Sequence, residues 1–174
     1  GIGPCIYLAA GTFDSTYDAG ILILAQIGDL VWHDLNSDGR QTLGEPGISG
    51  LNVKLYQNNG TLYGITTTNA NGYYLFENVY PGDYYIQFET PAGYELTSSN
   101  TGINDAIDND VDGSNGVGTT QTTTLSSGET DLSWDAGFYT CIPIGDVIWY
   151  DFNKNDVRDS YENGINAILV SIYQ

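Results

Sequence analysis

Basic residues are scarce in this chain, which sets four Lys and Arg against 22 Asp and Glu for a formal net charge of −18 over 174 residues. A polyanion needs a basic face to bind, and four bases cannot build one, so we expect no nucleic acid partner. Apolar stretches are also short, and none in this window approaches the roughly 18 residues of a membrane-spanning helix. The acid excess favours divalent cations as partners, with a solvated acidic surface as the alternative.

Sulfur and imidazole are almost missing, with no methionine, two cysteines and one histidine. Cys5 and Cys141 occupy non-equivalent positions in different units of the repeat described below, so we do not expect them to pair within one chain. A disulfide between neighbouring chains and two inert thiols are both open. The lone His33, together with the absence of Gly-x-Ser-x-Gly and His-Glu-x-x-His motifs, argues against an enzyme.

Aromatic residues, by contrast, make up 13% of the chain. Runs such as Gly28–His33 and Leu51–Leu55 alternate between apolar and polar residues, as half-buried strands do. Asn58-Asn59-Gly60 supplies the residues of a tight hairpin turn. The Asn59-Gly-Thr61 triplet is also a glycosylation sequon, although the turn alone explains the Asn-Gly pair. No segment shows a helical period, so we predict an all-β antiparallel sandwich with little helix.

The chain also repeats itself at an offset of 117 residues. Ile27–Gln57 aligns without gaps on Ile144–Gln174, and Asp14–Gly20 aligns on Asp131–Gly137. A repeat of fixed period is typical of arrays, which serve as stalks, fibres or binding surfaces more often than as enzymes. The sequence therefore indicates tandem units of about 117 residues.

The offset divides the chain into three parts. We interpret residues 1–22 as the C-terminal strands of a preceding or incomplete unit, 27–139 as one complete sandwich, and 144–174 as the N-terminal strands of a following unit. Incomplete sheets expose unpaired strand edges, which are a liability in water. We therefore expect neighbouring repeats or copies as partners in a filament or stalk, through a longer polypeptide or through strand exchange.

One acidic segment fits the calcium-loop template at every fixed position. Its residues are Asp34, Asn36, Asp38, Gly39 and Glu45. Ca²⁺ prefers six to eight oxygen ligands, and side chains at positions 1, 3 and 5 of a tightly wound loop converge on one point. The carbonyl of Arg40 fills position 7, and Glu45 closes the shell. Strands rather than helices flank the segment, so we predict an EF-like loop within a β domain.

A second acidic segment repeats the core of that template with Asp108, Asp110 and Asp112, and Asn104 and Asp105 lie just upstream. No acid follows at position 12, so a closing ligand must come from elsewhere in the fold. Asp29 and Asp135 are candidates, because both recur at the offset beside strand ends. A solvated acidic loop is the alternative. The partial third unit offers a further set of candidate ligands, in which Asp156 replaces the glycine: Asp151, Asn153, Asn155 and Glu162.

Five motifs together resemble the SdrD B-like repeat, which is related to the collagen-adhesin B domain and occurs in large bacterial surface proteins. They are Ile27–Gly39, Gly47–Val53, Asn71–Phe76, Pro81–Tyr85 and Asp135–Tyr139. The resemblance covers 27–139 and implies a prealbumin-like, Greek-key sandwich with calcium in its loops. It further implies a tandem stalk that calcium rigidifies, with Asp34, Asn36, Asp38 and Glu45 as the first site. Asp108, Asp110 and Asp112 would belong to further sites. Related domains carry Lys–Asn isopeptide bonds, but we expect Lys54 to point to solvent and form none.

The favoured function is a calcium-stiffened structural repeat of an extracellular or cell-surface stalk, adhesin or fibre. Extracellular calcium suits weak loop sites, whose dissociation constants are roughly 10⁻⁴–10⁻³ M. A carbohydrate- or protein-binding module is the alternative, since the pairs Tyr73-Tyr74 and Tyr84-Tyr85 and Trp134 could stack on a ligand. A sandwich core would use the same rings, and we prefer that interpretation. Any host or matrix ligand is unidentified.

Overall fold

The computed structural model describes residues 10–11, 15, 20–141 and 145–171. Most of the predicted unit 1–22, including Cys5, therefore lies outside the described residues. Within them the strands are β1 (Ala25–His33), β2 (Asn52–Gln57), β3 (Leu62–Thr67), β4 (Tyr73–Val79), β5 (Gly82–Phe88), β6 (Tyr94–Leu96), β7 (Thr123–Leu125), β8 (Thr130–Asp131) and β9 (Ala136–Thr140). A 3₁₀ turn over Asp105–Ile107 is the one helical element of the described part. The predicted scarcity of helix agrees with this.

The strands form two sheets that pack as a sandwich. One sheet has the order β4-β1-β9-β6, with β8 also paired to β1, and the other has the order β3-β2-β5-β7. The antiparallel prediction holds for most pairs, including β1 with β4, but is wrong for two other pairings of β1, which is parallel to β8 and, through Trp32 opposite Gly137, to β9. Parallel pairing needs a long crossover, and nearly the whole unit lies between β1 and β9 to supply it.

Apolar side chains of both sheets meet in one core. Ile27 and Phe138 are fully buried on one sheet, and Leu55 and Ile86 are fully buried on the other. These residues occupy alternate positions along their strands, so the pleat directs them to the same face. The indole of Trp32 is also fully buried, at the point where β1 changes partner from β4 to β9.

The paired tyrosines divide between the core and the surface. Tyr74 and Tyr84 are 4% and 2% exposed, whereas Tyr73 is 51% exposed. The Tyr74 hydroxyl donates to the carbonyl of Trp134 at 2.6 Å, so the buried polar atom is satisfied. Trp134 is itself buried. Three of the rings considered for ligand stacking therefore belong to the core, as preferred from the sequence.

Turns and surface residues follow the local sequence. The hairpin at Asn58–Gly60 forms as predicted, with the Gln57 amide donating to the Thr61 carbonyl at 2.9 Å and Gly60 at a φ of +83°. Asn59 is exposed there, and its glycosylation stays a prediction. Lys54 points away from the core, as predicted, and pairs with Glu89, Nζ to Oε1 at 2.6 Å; that it forms no isopeptide bond stays a prediction.

Contacts separate a unit that ends at Thr140 from a smaller unit that begins at Cys141. In the smaller unit Trp149 bridges Gly164, and at the 117-residue offset Trp32 bridges Gly47 in the sandwich. Cys141 is an exposed free thiol. No helix among the described residues is long and apolar enough to cross a membrane. The assignment of the parts to tandem repeats stays a prediction.

Candidate metal centre

The first acidic loop leaves the sandwich at the end of β1. The Asp34 amide donates to the Phe138 carbonyl of β9 at 2.8 Å, which anchors the loop to the sheet. The Asp34 carboxylate is 1% exposed. Its two oxygens accept the amides of Asp38 at 3.3 Å and Gly39 at 2.9 Å, so the loop winds back over its first residue. The Thr97 hydroxyl also donates to it.

The remaining template residues shape the rest of this loop. The Asn36 side-chain oxygen accepts the Asp38 amide at 3.0 Å, and the Asp38 carboxylate accepts the Arg40 amide at 2.9 Å. Glu45 closes the loop with both carboxylate oxygens, which accept the amides of Leu35 at 3.0 Å and Thr42 at 2.9 Å. Each predicted side chain therefore turns its oxygens toward the loop interior, where backbone amides hold them.

Gly39 is required by its conformation and by its neighbours. Its φ is +78°, in the left-handed region that favours glycine. A Cβ at this position would lie 2.5 Å from the Ser98 carbonyl oxygen and 2.6 Å from the Thr101 hydroxyl. The template glycine thus permits the turn and also lets the segment around Thr101 pack against the loop.

Three carboxylates converge in the second acidic segment. Asp105, Asp108 and Asp110 each offer an oxygen, and these oxygens lie within 4.8 Å of one another. Asp108 is 3% exposed, and its Oδ1 is buried without a hydrogen-bond partner. Burial raises the Asp108 pKa, as does the charge of Asp105, while the Arg40 guanidinium lowers it. A buried carboxylate oxygen without a donor is costly, and a bound cation would satisfy it.

The two acidic loops lie side by side. Arg40 forms an antiparallel bridge with Asp108, and the Gln41 amide donates to the Ile107 carbonyl at 2.8 Å. The Asn109 amide donates to the Gly39 carbonyl at 3.2 Å. Position 7 of the first loop therefore pairs with the first aspartate of the second, an arrangement that sequence spacing alone did not indicate.

Behind this bridge lies a second, deeper pair of acids. The Asp135 amide donates to Oδ2 of Asp110 at 2.6 Å, and the Leu30 amide donates to Oδ1 of Asp135 at 3.0 Å. Oδ2 of Asp135 is buried without a partner. Burial raises the pKa of Asp110 to about 8 and that of Asp135 to about 9, and the Asp29 charge adds to the second shift. Burial also raises the Asp29 pKa.

The structure brings some predicted ligands together and leaves others apart. Asp110 accepts the backbone amide of Asp135, but the two closing ligands predicted at the strand ends, Asp29 and Asp135, are not in the compact carboxylate group. Asp112 instead accepts the amide and hydroxyl of Ser114 at 2.9 and 2.7 Å, and it lies outside the compact group. Asp105 takes a place in that group although we did not predict it as a ligand. Its spacing of three residues from Asp108, across the 3₁₀ turn, is the signal that could have identified it.

The repeat copy of the first loop folds in the same way. Glu162 closes it, accepting the amides of Phe152 at 2.9 Å and Asp159 at 3.0 Å. The Asn155 amide donates to Asp151 at 3.2 Å and to Asn153 at 3.1 Å. Asp156, at a φ of +60°, takes the position of the template glycine. All four predicted ligands of the third unit thus lie in one loop.

The donor chemistry of these loops fits a hard cation. Carboxylate, amide and carbonyl oxygens are the candidate ligands, which suits Ca²⁺ or Mg²⁺ rather than a softer transition metal. The buried Oδ1 of Asp108 is an acceptor without a protein donor, whereas the Asp135 carboxylate, whose pKa burial raises, has the Gln41 side chain beside it, which lowers that pKa in part. The residues present therefore fit a calcium-type ion.

The two-sheet sandwich with its two adjacent acidic loops is an all-β domain. Comparison with known families identifies which all-β family it belongs to. The SdrD B-like domain model matches residues 25–138, and the chain belongs to this family. Serine-aspartate repeat-containing protein F of Staphylococcus epidermidis is 39% identical over 162 residues, covering 91% of this chain and 9% of that protein. Serine-aspartate repeat-containing protein C of Staphylococcus aureus strain Newman is 40% identical over 148 residues, covering 84% of this chain and 15% of that protein. The chain thus spans a small part of these relatives.

Among solved structures, the minor pilin GBS52 of Streptococcus agalactiae aligns with a TM-score of 0.47 at 14% identity, over 73% of this chain and 48% of the pilin. The shaft pilin spaA of Lactobacillus rhamnosus GG aligns with a TM-score of 0.43 at 10% identity, over 66% of this chain and 50% of the pilin.

The SdrD B-like family is non-enzymatic, which agrees with the sequence. Homology to the staphylococcal Sdr proteins, which are cell-wall surface proteins, places the domain at the cell surface.

Proposed function

We propose that this domain is a calcium-stiffened structural repeat of an extracellular stalk, adhesin or fibre. The observation that carries the proposal is the buried Oδ1 of Asp108, which has no hydrogen-bond partner and belongs to a residue of the three-carboxylate group Asp105, Asp108 and Asp110. In this proposal the first loop is an EF-like site held by Asp34, Asn36, Asp38 and Glu45. Asp105, Asp108 and Asp110 hold a further ion, with Asp135 behind them.

Charge explains why calcium would stiffen such a domain. The chain carries a net charge of −18, and the two loops bring several acids together at one bridge. Each Ca²⁺ offsets two negative charges and binds only the folded loops. One site at about 100 times its dissociation constant adds roughly 2.7 kcal/mol to the free energy of unfolding. That gain is a large share of a typical domain's stability.

The repeat role draws on the 117-residue offset. The loop over Asp151–Glu162 has the sequence spacing and the hydrogen bonds of Asp34–Glu45. Two loops of one design in one chain support a tandem arrangement, in which neighbouring repeats are the partners. The binding-module alternative is weaker, because Tyr74, Tyr84 and Trp134 lie in the core.

A thermal melt of the full chain in EDTA and in millimolar calcium tests the proposal. We expect calcium to raise the melting temperature by roughly 10 °C or more, from the stabilisation of one or more sites. Asp108→Asn removes the charge of the partnerless carboxylate and should lose much of that rise.

Asp112→Asn is the matched control for Asp108→Asn. It lies in the same segment, but its carboxylate bonds only to Ser114, so its calcium response should equal that of the wild type. Identical wild-type melts in EDTA and in calcium would reject the proposal and leave the acidic loops as solvated surface.

A further inference from the structure

The segment that enters β1 occupies the repeat positions of a final strand. The offset places Ile21–Ile23 on Phe138–Thr140, the second half of β9. Phe138 is fully buried, whereas Ile21 is 92% exposed. In a preceding repeat of the same fold, Ile21 would take the core position of Phe138. Only Leu24 then separates that repeat's last strand from β1 of this sandwich.

Both backbone polar groups of Ile23 are bound by one turn, Ser126–Glu129. The Ile23 amide donates to Ser127 Oγ at 3.0 Å, and Ser127 Oγ donates back to the Ile23 carbonyl at 3.2 Å. The Gly128 amide donates to the same carbonyl at 3.0 Å. Hydrogen bonds to both its amide and its carbonyl hold the Ile23 backbone against the turn, although the residue is 63% exposed.

The same contact continues into the sandwich. The Gln26 amide donates to the Glu129 carbonyl at 2.9 Å, and Gln26 pairs with Thr130 in the parallel ladder between β1 and β8. The chain from Ile23 to Gln26 thus runs alongside the turn and then pairs with β8. Leu24 is partly buried and Ala25 is fully buried, so the passage into the sandwich leaves no free linker.

The turn is shaped for this contact. The Glu129 amide donates to the Ser126 carbonyl at 3.3 Å, and the Glu129 carboxylate accepts the Ser126 amide at 2.6 Å. Gly128 has a φ of +78°, and a Cβ there would lie 3.3 Å from Cγ2 of Ile23. A glycine therefore allows both the turn and the close approach of the Ile23 side chain.

We propose that the Ser126–Glu129 turn is the surface on which the last strand of a preceding repeat ends, with Ile23 as the seated residue. Adjacent repeats are then joined by a strand that continues from one sandwich into the next. The inference rests on the proposed repeat organisation but not on calcium, since the joint contains none of the candidate metal ligands. The partner that fits this surface is a further SdrD B-like repeat on the N-terminal side.

Amide hydrogen exchange of the full chain, followed by NMR, tests the joint. In the wild type we expect the Ile23 and Gly128 amides to be protected, with Ile23 exchanging at least about tenfold more slowly than an unstructured peptide. Ser127→Ala removes the hydroxyl that accepts the Ile23 amide, so Ile23 should lose that protection. Ser126→Ala is the matched control, because it makes the same change in the same turn without touching Ile23.

Two results would overturn the joint: a wild-type Ile23 amide that exchanges at the unstructured rate, or equal Ile23 exchange in the two serine variants. Repeating the experiment in EDTA separates the joint from the calcium proposal. Retained Ile23 protection with no calcium effect on melting would reject only the calcium proposal. A large calcium effect on melting with an unprotected Ile23 would reject only the joint.

Discussion

The acidic loop of the sandwich, Asp34–Glu45, and its copy, Asp151–Glu162, adopt one conformation in unequal surroundings. Each final glutamate accepts the amide of the second loop residue, at 3.0 Å in the sandwich and 2.9 Å in the copy. Each first aspartate accepts the amide of the sixth, at 2.9 and 3.0 Å. Because the copy makes these bonds within its own segment, the loop conformation is set mainly by the loop's own residues.

The surroundings account for the differences between the two loops. Asp34 is 1% exposed and accepts the Thr97 hydroxyl, whereas Asp151 is only partly buried. The first loop also bridges the second acidic segment at Asp108. Local sequence therefore determines how the oxygens are wound, and the sandwich buries the first aspartate more deeply, although the closing Glu162 of the copy is more buried than Glu45.

The largest difference between the two regions should be in the stability cost of an alanine substitution at Gly47 and at Gly164, which are equivalent at the 117-residue offset. A Cβ on Gly47 would overlap the Asn71 carbonyl, while the nearest atom to a Cβ on Gly164 is Val147 Cγ1 at 3.5 Å. We expect Gly47→Ala to lower the free energy of unfolding by about 3 kcal/mol through overpacking. Urea denaturation of the full chain measures it.

Gly164→Ala is the control, and its unfolding midpoint should match the wild type. Equal midpoints for the two alanine variants would show that the packing around Gly47 is not as tight as the structure indicates.

A smaller effect is expected from pH, and it concerns the buried acids Asp110 and Asp135 of the sandwich. The folded-state pKa values of Asp110 and Asp135 are about 8 and 9, above the ordinary value of 3.8. Between pH 4 and pH 8 the folded state then holds protons that the unfolded state releases, so stability falls as pH rises. In EDTA, the melting temperature should therefore be several degrees higher at pH 5 than at pH 8.

Asp135→Asn, which stays neutral, should remove much of this pH dependence. Calcium should oppose the trend, because the ion binds the deprotonated carboxylates. A metal-free melting temperature that rises from pH 5 to pH 8 would contradict the assigned direction of the shifts.

The smallest effect should come from restoring the template glycine in the copy. Asp156 has a φ of +60°, and glycine relieves such a position by roughly 0.5–1 kcal/mol. We expect Asp156→Gly to tighten calcium binding at this loop by about two- to fivefold, measured by NMR titration of the loop amides. Asp156→Asn, which removes the charge but keeps a side chain, separates strain from electrostatics. Equal gains in both variants would assign the effect to charge.

The sequence was informative wherever structure is local. The hairpin at Asn58–Gly60, the alternation that buries Tyr74 and exposes Tyr73, and the winding of the first acidic loop all follow from neighbouring residues. Each depends on backbone preference or on the strand period, which short segments carry by themselves.

What escaped prediction depends on residues far apart in the chain. The parallel pairing of β1 with β9 joins Val31 to Ala136, and sequence alternation does not specify a partner strand. The place of Asp105 beside Asp108, and the exclusion of Asp112, depend on a 3₁₀ turn that the polar sequence did not indicate. The contact of Asp110 with Asp135 was accessible only in part, through the recurrence of Asp135 at the offset.

The parallel pairing of β1 with β9 has a mechanical consequence. These are the first and last strands of the sandwich, and they lie side by side with the same direction. Tension applied to the two ends of the domain pulls these neighbours in opposite senses along their common axis. Their hydrogen bonds are then loaded together in shear instead of being peeled apart one at a time. This topology concentrates the resistance to stretching at the ladder between Val31–His33 and Ala136–Phe138.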